Sequence, residues 1–245
     1  MSNWAYSNIV SLDVVELDVT NQATIDKTVN GILEDVGHID VLVNNAGVAA
    51  FGILEGFTIE QTQALFDVNT FGPLRVAKAI LPSMRDRGSG LLIHISSTVG
   101  RVNLPFTSPY SASKFALEAL GEALHMQLAP FGIESLLVEP GLFGTEAFGK
   151  LFTPADEQVL ADYGDLATAP MQTFAASAEM LRQPDAPDPQ QVADAVKQLI
   201  DTPVGQRPLR TLVGPVTTEG VAELNVAYDV TMQRLAEASG LQPAQ

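Results

Sequence analysis

The sequence predicts a single α/β domain, residues 1–245, built on a doubly wound parallel sheet. Short apolar runs alternate along the chain with longer segments of helical period, the pattern of repeated strand–helix units. Several of these runs end in turns rich in Asn, Ser, Pro or Gly, as strands do where their carboxyl ends open into loops. At 245 residues the chain can also bury one substantial core.

In chain order, the first predicted strand is Val14-Val-Glu-Leu-Asp-Val19, followed by a helical stretch near 22–36. Ile39-Asp-Val-Leu-Val43 is an apolar run closed by the turn Asn44-Asn45-Ala46-Gly47, which predicts a buried strand. A long amphipathic stretch over 59–86 carries Asn69 and, four residues on, Pro73. Proline has no N–H, so within a helix the Asn69 carbonyl loses its usual partner and is open to water. Gly88-Ser-Gly90 is a turn before the strand 91–96, and Ile95-Ser96-Ser97 closes that strand. A helix over 109–130 follows, then the strand Ile133-Glu-Ser-Leu-Leu-Val-Glu139, closed by Pro140-Gly141. The stretch 142–189 is predicted to be irregular and apolar, with Phe143, Phe148, Leu151, Phe152, Met171 and Phe174 among its residues. It ends in Pro184-Asp-Ala-Pro-Asp-Pro189. A helix near 189–201, a strand at 210–213 and a helix at 218–238 complete the pattern. Ligands bind such sheets at the carboxyl ends of the strands, where Asn44, Ser97 and Pro140 all fall.

Composition narrows the possible functions. A hydrophobic fraction of 46% with 17% charged residues describes a folded, well-buried protein. The net charge of −16, from 29 acidic and 13 basic residues, argues against nucleic acid and anionic membrane as partners. With no cysteine, disulfides, thiolate metal sites and cysteine nucleophiles are excluded. The three histidines are isolated: His94 lies in an apolar strand, His38 at a turn and His125 on a helix, without metal-ligand spacing. No 18-residue apolar run and no basic, apolar leader occurs, which predicts a cytoplasmic location.

The chemistry is concentrated in Tyr110-Ser-Ala-Ser-Lys114, with Ser97 thirteen residues upstream. A Tyr and a Lys four residues apart share one face of a helix. Bringing a phenol from its usual pKa to near 7 takes about 4 kcal/mol, and one ammonium about 4 Å away supplies an amount of that order at an effective dielectric of about 20. Such a phenol is a general acid or base at neutral pH, and Ser97 can donate to the same substrate oxygen.

Together with Asn44-Asn45-Ala46-Gly47, Asn69 and Pro140-Gly141, these residues resemble the short-chain dehydrogenase/reductase family. The likeness is close from about Val14 to Thr145 and looser beyond. The resemblance implies a Rossmann-like fold and a catalytic tetrad of Asn69, Ser97, Tyr110 and Lys114. Tyr110 would exchange the proton and Ser97 would polarise the alcohol or carbonyl oxygen. Lys114 would hold the nicotinamide ribose, and Asn69 a relay water. It implies NADP or NAD as cofactor, with Asp18 and Val19 at the adenine, Asn45, Ala46 and Gly47 along the adenosine and ribose side, and Pro140, Gly141, Phe143 and Thr145 at the carboxamide. It further implies a substrate lid over 142–189, and a homodimer or homotetramer with Phe115, Leu120 and Leu124 near the interface. The apolar residues of the lid and Val102, Leu104 and Phe106 suggest a small apolar carbonyl or secondary alcohol. Arg207 to Gly214 resembles the hydroxysteroid and retinol dehydrogenase branch.

One family element is missing. The Thr-Gly-x-x-x-Gly-x-Gly turn does not occur, no glycine precedes Gly31 and only thirteen residues precede Val14, fewer than the roughly 30 that a βαβ unit needs. The expectation is a sheet lacking the family's first strand, first helix and second strand, from an internal start at Met1 or a fragment. Alternatively, Ile9 to Val19 slides across to cover the open edge. Gly-rich turns at helix N-termini hold phosphate by backbone N–H groups; losing three charge-assisted bonds costs about 5 to 9 kcal/mol, so dinucleotide binding is expected to be weak. Two other functions fit the same residues: a nucleotide-free binding or scaffold protein, and a cofactor-independent isomerase or lyase using Tyr110 and Lys114.

Overall fold

The structure, a computed structural model, describes residues 12–145, 151–214 and 218–239. Among these, strands β1 (Val41–Asn44), β2 (Gly90–Ile95), β3 (Ile133–Pro140) and β4 (Arg210–Val213) form one parallel sheet in the order β1-β2-β3-β4. Between and after them run α1 (Gln22–Val36), α2 (Ile59–Phe66), α3 (Gly72–Arg87), α4 (Tyr110–Leu128), α5 (Glu157–Asp162), α6 (Ala169–Met180), α7 (Gln190–Asp201) and α8 (Thr218–Ser239).

Local chemistry sets several helix ends. The Asn21 side chain accepts from the Ala23 and Thr24 N–H groups at the start of α1, satisfying donors that have no partner within the helix. Gly37 ends α1 at φ +84°, a conformation that glycine adopts without a Cβ clash. Thr58 and Gln61 form a reciprocal capping box on α2.

The two faces of the sheet are packed separately because neighbouring residues of a strand point to opposite sides. Leu92 and Ile133 pack with Ile25 and Val29 of α1 and with Val76, Ile80 and Met84 of α3. Leu91, Ile93, Leu136 and Val138 pack on the other face with Val213 of β4 and with Val192, Ala195, Val196 and Leu199 of α7. This two-sided burial makes the sheet doubly wound, as the alternating pattern predicts.

Three expectations are corrected. Residues 14–19 form no strand: the chain over 12–18 has no regular structure and is exposed, with Val14 at 89% and Val15 at 55%. A strand needs a neighbour for its backbone groups, and no strand among the described residues lies beside this segment. Its contacts are instead to α1, where the Thr28 and Thr24 hydroxyls donate to the carbonyls of Glu16 and Asp18. The single helix expected over 59–86 is divided by a π-helical turn, Asp67–Phe71, in which the Gly72 N–H donates to the Asp67 carbonyl. Pro73 follows at once with no N–H of its own, so the widened turn falls where the regular ladder cannot continue. The stretch 142–189, expected to be irregular, contains α5, a 3₁₀ turn at Gly164–Thr168 and α6. Phe148 lies outside the described residues.

Candidate active site

Four segments meet at the carboxyl end of the sheet. β1 delivers Asn44 and the loop behind it, β2 delivers Ser96 and Ser97, β3 delivers Pro140, and α4 begins at Tyr110. Asn44 is fixed between elements: its amide donates to the Pro73 carbonyl at 3.4 Å and lies 3.1 Å from His94 Nδ1.

The structure brings Ser97, Tyr110 and Lys114 together. Ser97 Oγ donates to the Pro140 carbonyl at 3.3 Å, accepts from the Val99 N–H at 3.3 Å and hydrogen-bonds to the Tyr110 phenol. Lys114 Nζ lies 5.8 Å from the Tyr110 ring centre and donates to the Ile95 carbonyl at 2.8 Å. Asn69 is buried one layer behind. Its side chain accepts from the Val48 N–H and donates to the Val48 carbonyl, both at 2.8 Å, and donates to Ser113 Oγ at 3.0 Å. Ser113, inside the Tyr-x-x-x-Lys segment, in turn donates to the Tyr110 carbonyl. It is a latch between the Asn69 turn and α4 that the spacing of the four principal residues does not reveal.

The ionisation differs from the simple expectation of a phenol near 7. Burial pushes the Tyr110 phenol up to about 12, with the Ser97 hydroxyl pulling it part of the way back. Burial also brings Lys114 down to about 8, opposed by the charge of Glu118. Desolvation dominates because the phenol is removed from water, which disfavours its charged form. At neutral pH the site therefore holds a protonated phenol beside a cationic lysine, an arrangement that donates a proton.

The remaining predicted residues divide between two places. Asn45, Ala46 and Gly47 are exposed on the loop after β1, and a Cβ at Gly47 would lie 3.4 Å from Asn69 Oδ1 and 3.8 Å from Lys114 Nζ. This backbone thus borders Lys114. Pro140 and Gly141 are half-buried beside Ser97, and Thr145 is exposed. Phe143 turns the other way: its ring packs into the core against Gly214 and is 7% exposed. Asp18 is exposed and its carboxylate accepts from the Thr20 N–H and hydroxyl, while Val19 packs against Gly72 at the start of α3. These two residues lie beside the Asn69 turn, since Arg75 reaches both the Val19 and the Asp67 carbonyls.

An aromatic wall stands over this end of the sheet. The Phe51 ring centre is 6.1 Å from those of both Phe106 and Phe174. Backbone bonds from Phe51 N to Phe152 O and from Gly52 N to Phe106 O tie the loops together. Tyr110 itself packs beside the cluster of Ala50, Phe57 and Leu65. A second group escaped the sequence reading: Glu118, Glu139, Arg101 and Arg210 form a buried ionic network next to Lys114. The available signal was a glutamate, Glu139, directly after the apolar run Leu136-Leu137-Val138.

Comparison with known proteins agrees with this architecture. Residues 5–156 match the family described as short chain dehydrogenase. The chain is 36% identical over 218 residues to human retinol dehydrogenase 8, covering 85% of this chain and 67% of that protein. It is 42% identical over 164 residues to the bovine protein of the same name, covering 64% of this chain and 52% of the relative. The chain thus spans about half to two thirds of the length of these relatives. Human 17-beta-hydroxysteroid dehydrogenase type 1 is 36% identical over 195 residues, 79% of this chain and 58% of that one. Among solved structures, a short-chain dehydrogenase from Streptomyces avermitilis superimposes with a TM-score of 0.74 at 34% identity, covering 96% of this chain and 83% of its own. A metagenomic short-chain oxidoreductase solved with NADP gives 0.62 at 26% identity, covering 83% and 75%. With the match over more than half its length, the chain belongs to the short-chain dehydrogenase family.

Proposed function

We propose that this protein is a nicotinamide-dependent oxidoreductase that interconverts an apolar secondary alcohol and its carbonyl. The observation that carries this reading is the convergence of the Ser97 hydroxyl, the protonated Tyr110 phenol and the Lys114 ammonium at one strand end. Ser97 and Tyr110 donate to the substrate oxygen, so negative charge developing there in reduction is met by two hydroxyls and, through Tyr110, by the Lys114 charge. In the reverse direction Tyr110 first loses its own proton to solvent, and the phenolate, held by the Lys114 charge, takes up the alcohol proton. The Asn69 carbonyl, preceding Pro73, holds the water that returns protons to solvent.

The residues present fit the nicotinamide end of NAD or NADP. Gly47 keeps the space beside Lys114 free of a side chain, Pro140 and Gly141 line the opposite bank, and Lys114 is placed for the ribose hydroxyls. The nicotinamide, when bound, supplies or accepts the hydride. No Gly-rich phosphate turn occurs in the sequence, so binding by this chain is weak and rests on that end. Phe51, Phe106 and Phe174 favour an apolar substrate, as do the names of the retinol and hydroxysteroid relatives. Helices α5 and α6 are assigned as its lid. Exposed Phe71, Phe115 and Met126 on α3 and α4 and their approach suit a homodimer or homotetramer.

The test is turnover of a panel of apolar ketones with saturating NADPH or NADH. Tyr110→Phe is expected to lower kcat by about 10² to 10⁴, the range for loss of a general acid. Turnover that requires no nicotinamide would replace this reading with proton transfer alone.

A further inference from the structure

Glu118 stands four residues beyond Lys114 on α4, one turn on and along the same face. Lys114 is 5% exposed and Glu118 2%. The acceptor at Lys114 Nζ, the Ile95 carbonyl, is neutral, and a buried ammonium is costly without an opposite charge nearby. Glu118 acts on Lys114 through its charge rather than through a direct ion pair; burial pushes the Glu118 carboxyl up, and Ser96, Arg210 and Arg101 pull it back toward the charged form. Arg210 Nε lies 3.1 Å from the Glu118 carboxylate, Ser96 lies beside it, and Gly100 packs so closely that a Cβ there would come within 3.2 Å of Glu118 Cγ.

The rest of the cluster comes from α4 itself, β3, β4, α8 and the turn after β2. Arg210 also reaches Glu122 at 3.1 Å, Glu139 at 3.4 Å and, at the exposed rim, Asp229 at 3.6 Å. Asn225 of α8 donates to Glu139 at 2.7 Å and accepts from Arg101 at 2.8 Å, and Arg101 lies 4.0 Å from Glu139. Tyr228 donates to Glu122 at 2.8 Å and lies under both guanidinium groups. Inside the rim, three carboxylates (Glu118, Glu122 and Glu139) face the cations Arg101 and Arg210. Lys114 is a third buried cation beside this cluster.

We propose that Glu118 is a positioning residue for Lys114: its carboxylate, clamped by Arg210, keeps the buried ammonium charged and beside Tyr110, and thereby ties β4 and α8 to the candidate active site. The other titratable neighbours do not substitute for it. His94, on β2, is neutral because burial and the Lys114 charge hold its pKa near 4. Tyr110 is protonated. Glu139 is pushed up to about 7 by burial and by Glu118 itself.

The ionisation of Lys114 can be measured without turnover, by ¹³Cε NMR titration of the full chain carrying labelled lysine. The sequence has five lysines, and the Lys114 signal is the one missing from Lys114→Arg. In Glu118→Gln the Lys114 midpoint should fall by about one unit or more, the scale for losing an opposite charge nearby. Glu118→Asp should fall less, and Glu139→Gln, which leaves Arg210 to Glu118 and Glu122, should leave the midpoint unchanged or raise it. An unmoved midpoint in Glu118→Gln overturns the proposal, as does an equal fall in Glu139→Gln, which would mean general loosening. Should Glu118→Gln not fold, Glu118→Asp decides: a fall supports the role and an unmoved midpoint overturns it. The assignment rests on the oxidoreductase reading only for its kinetic consequence, a matching shift in the alkaline limb of kcat/KM. A midpoint that moves in a protein without nicotinamide-dependent turnover would sustain the positioning role and overturn that reading.

Discussion

At the scale of residues, burial decides the charge states that the candidate chemistry uses. Lys114, brought down to about 8, loses its proton within an accessible range. Carbonyl reduction is accordingly expected to decline as pH rises through about 8, and a kcat/KM profile that stays flat to pH 10 would show that the lysine charge is not used. Two other buried groups act on stability with opposite signs. Glu139 has its folded pKa raised from 4.5 to about 7, so its contribution is present below pH 4.5 and lost as pH rises through 7. His94 has its folded pKa lowered from 6.5 to about 4, so its contribution is present above pH 6.5 and lost as pH falls through 4. Glu139→Gln removes the first and leaves the second. Its Tm relative to the parent should therefore become more favourable between pH 5 and 7.5; a constant difference would show that Glu139 takes up no proton in that window. Sequence spacing was enough to bring Ser97, Tyr110 and Lys114 together, because each sits at the end of a predictable strand or helix. It was not enough for Glu118, Glu139, Arg101 and Arg210. Their partners come from five separate segments, and a single charged residue in a strand or helix has no local mark of burial.

At the scale of elements, α4 is placed by close approach to the sheet. Gly121 permits it: a Cβ there would meet Leu137 Cδ2 at 2.8 Å and Cγ at 3.2 Å. Gly121→Ala should destabilise the fold by about 1 to 3 kcal/mol, the cost of overpacking a tight contact. Gly31→Ala, on α1 with nothing within 4 Å of the added atom, should instead stabilise by up to about 1 kcal/mol through helix propensity. Denaturation midpoints of the two variants check both signs. The bounds of α1 and β4 match their sequence patterns, since the Asn21 cap and Gly37 mark the first and Gly214 closes the second. The strand expected at 14–19 does not form, although its pattern is as good as that of β4. Pairing is a property of the neighbour, which local sequence does not contain. The π turn at Asp67–Phe71 was foreshadowed by Pro73, but the proline gave only the missing donor and not the form of the break.

At the scale of the whole molecule, the parallel order β1-β2-β3-β4 places three of the strand ends that bear site residues next to one another. Among the described residues β1 pairs with β2 alone and carries half-exposed apolar side chains, Val43 among them. Edge strands open at lower free energy than strands paired on both sides. Hydrogen exchange is thus expected to reach residues 41–44 before 90–95 and 133–140, and equal protection would show a covered edge. The overall class was legible because alternation of strands and helices is written along the entire chain. Helices α5 and α6 were not, because their apolar residues lack a strong helical stripe and lie between prolines.

The central claim is that this fold transfers hydride to a carbonyl while Tyr110 supplies the proton. It is tested most directly by incubating an apolar ketone with nicotinamide cofactor deuterated at the transferable position and weighing the alcohol formed. The account predicts one deuterium on the carbinol carbon and the loss of that product in Tyr110→Phe. Product carrying no cofactor deuterium, or its formation unchanged in Tyr110→Phe, would contradict it.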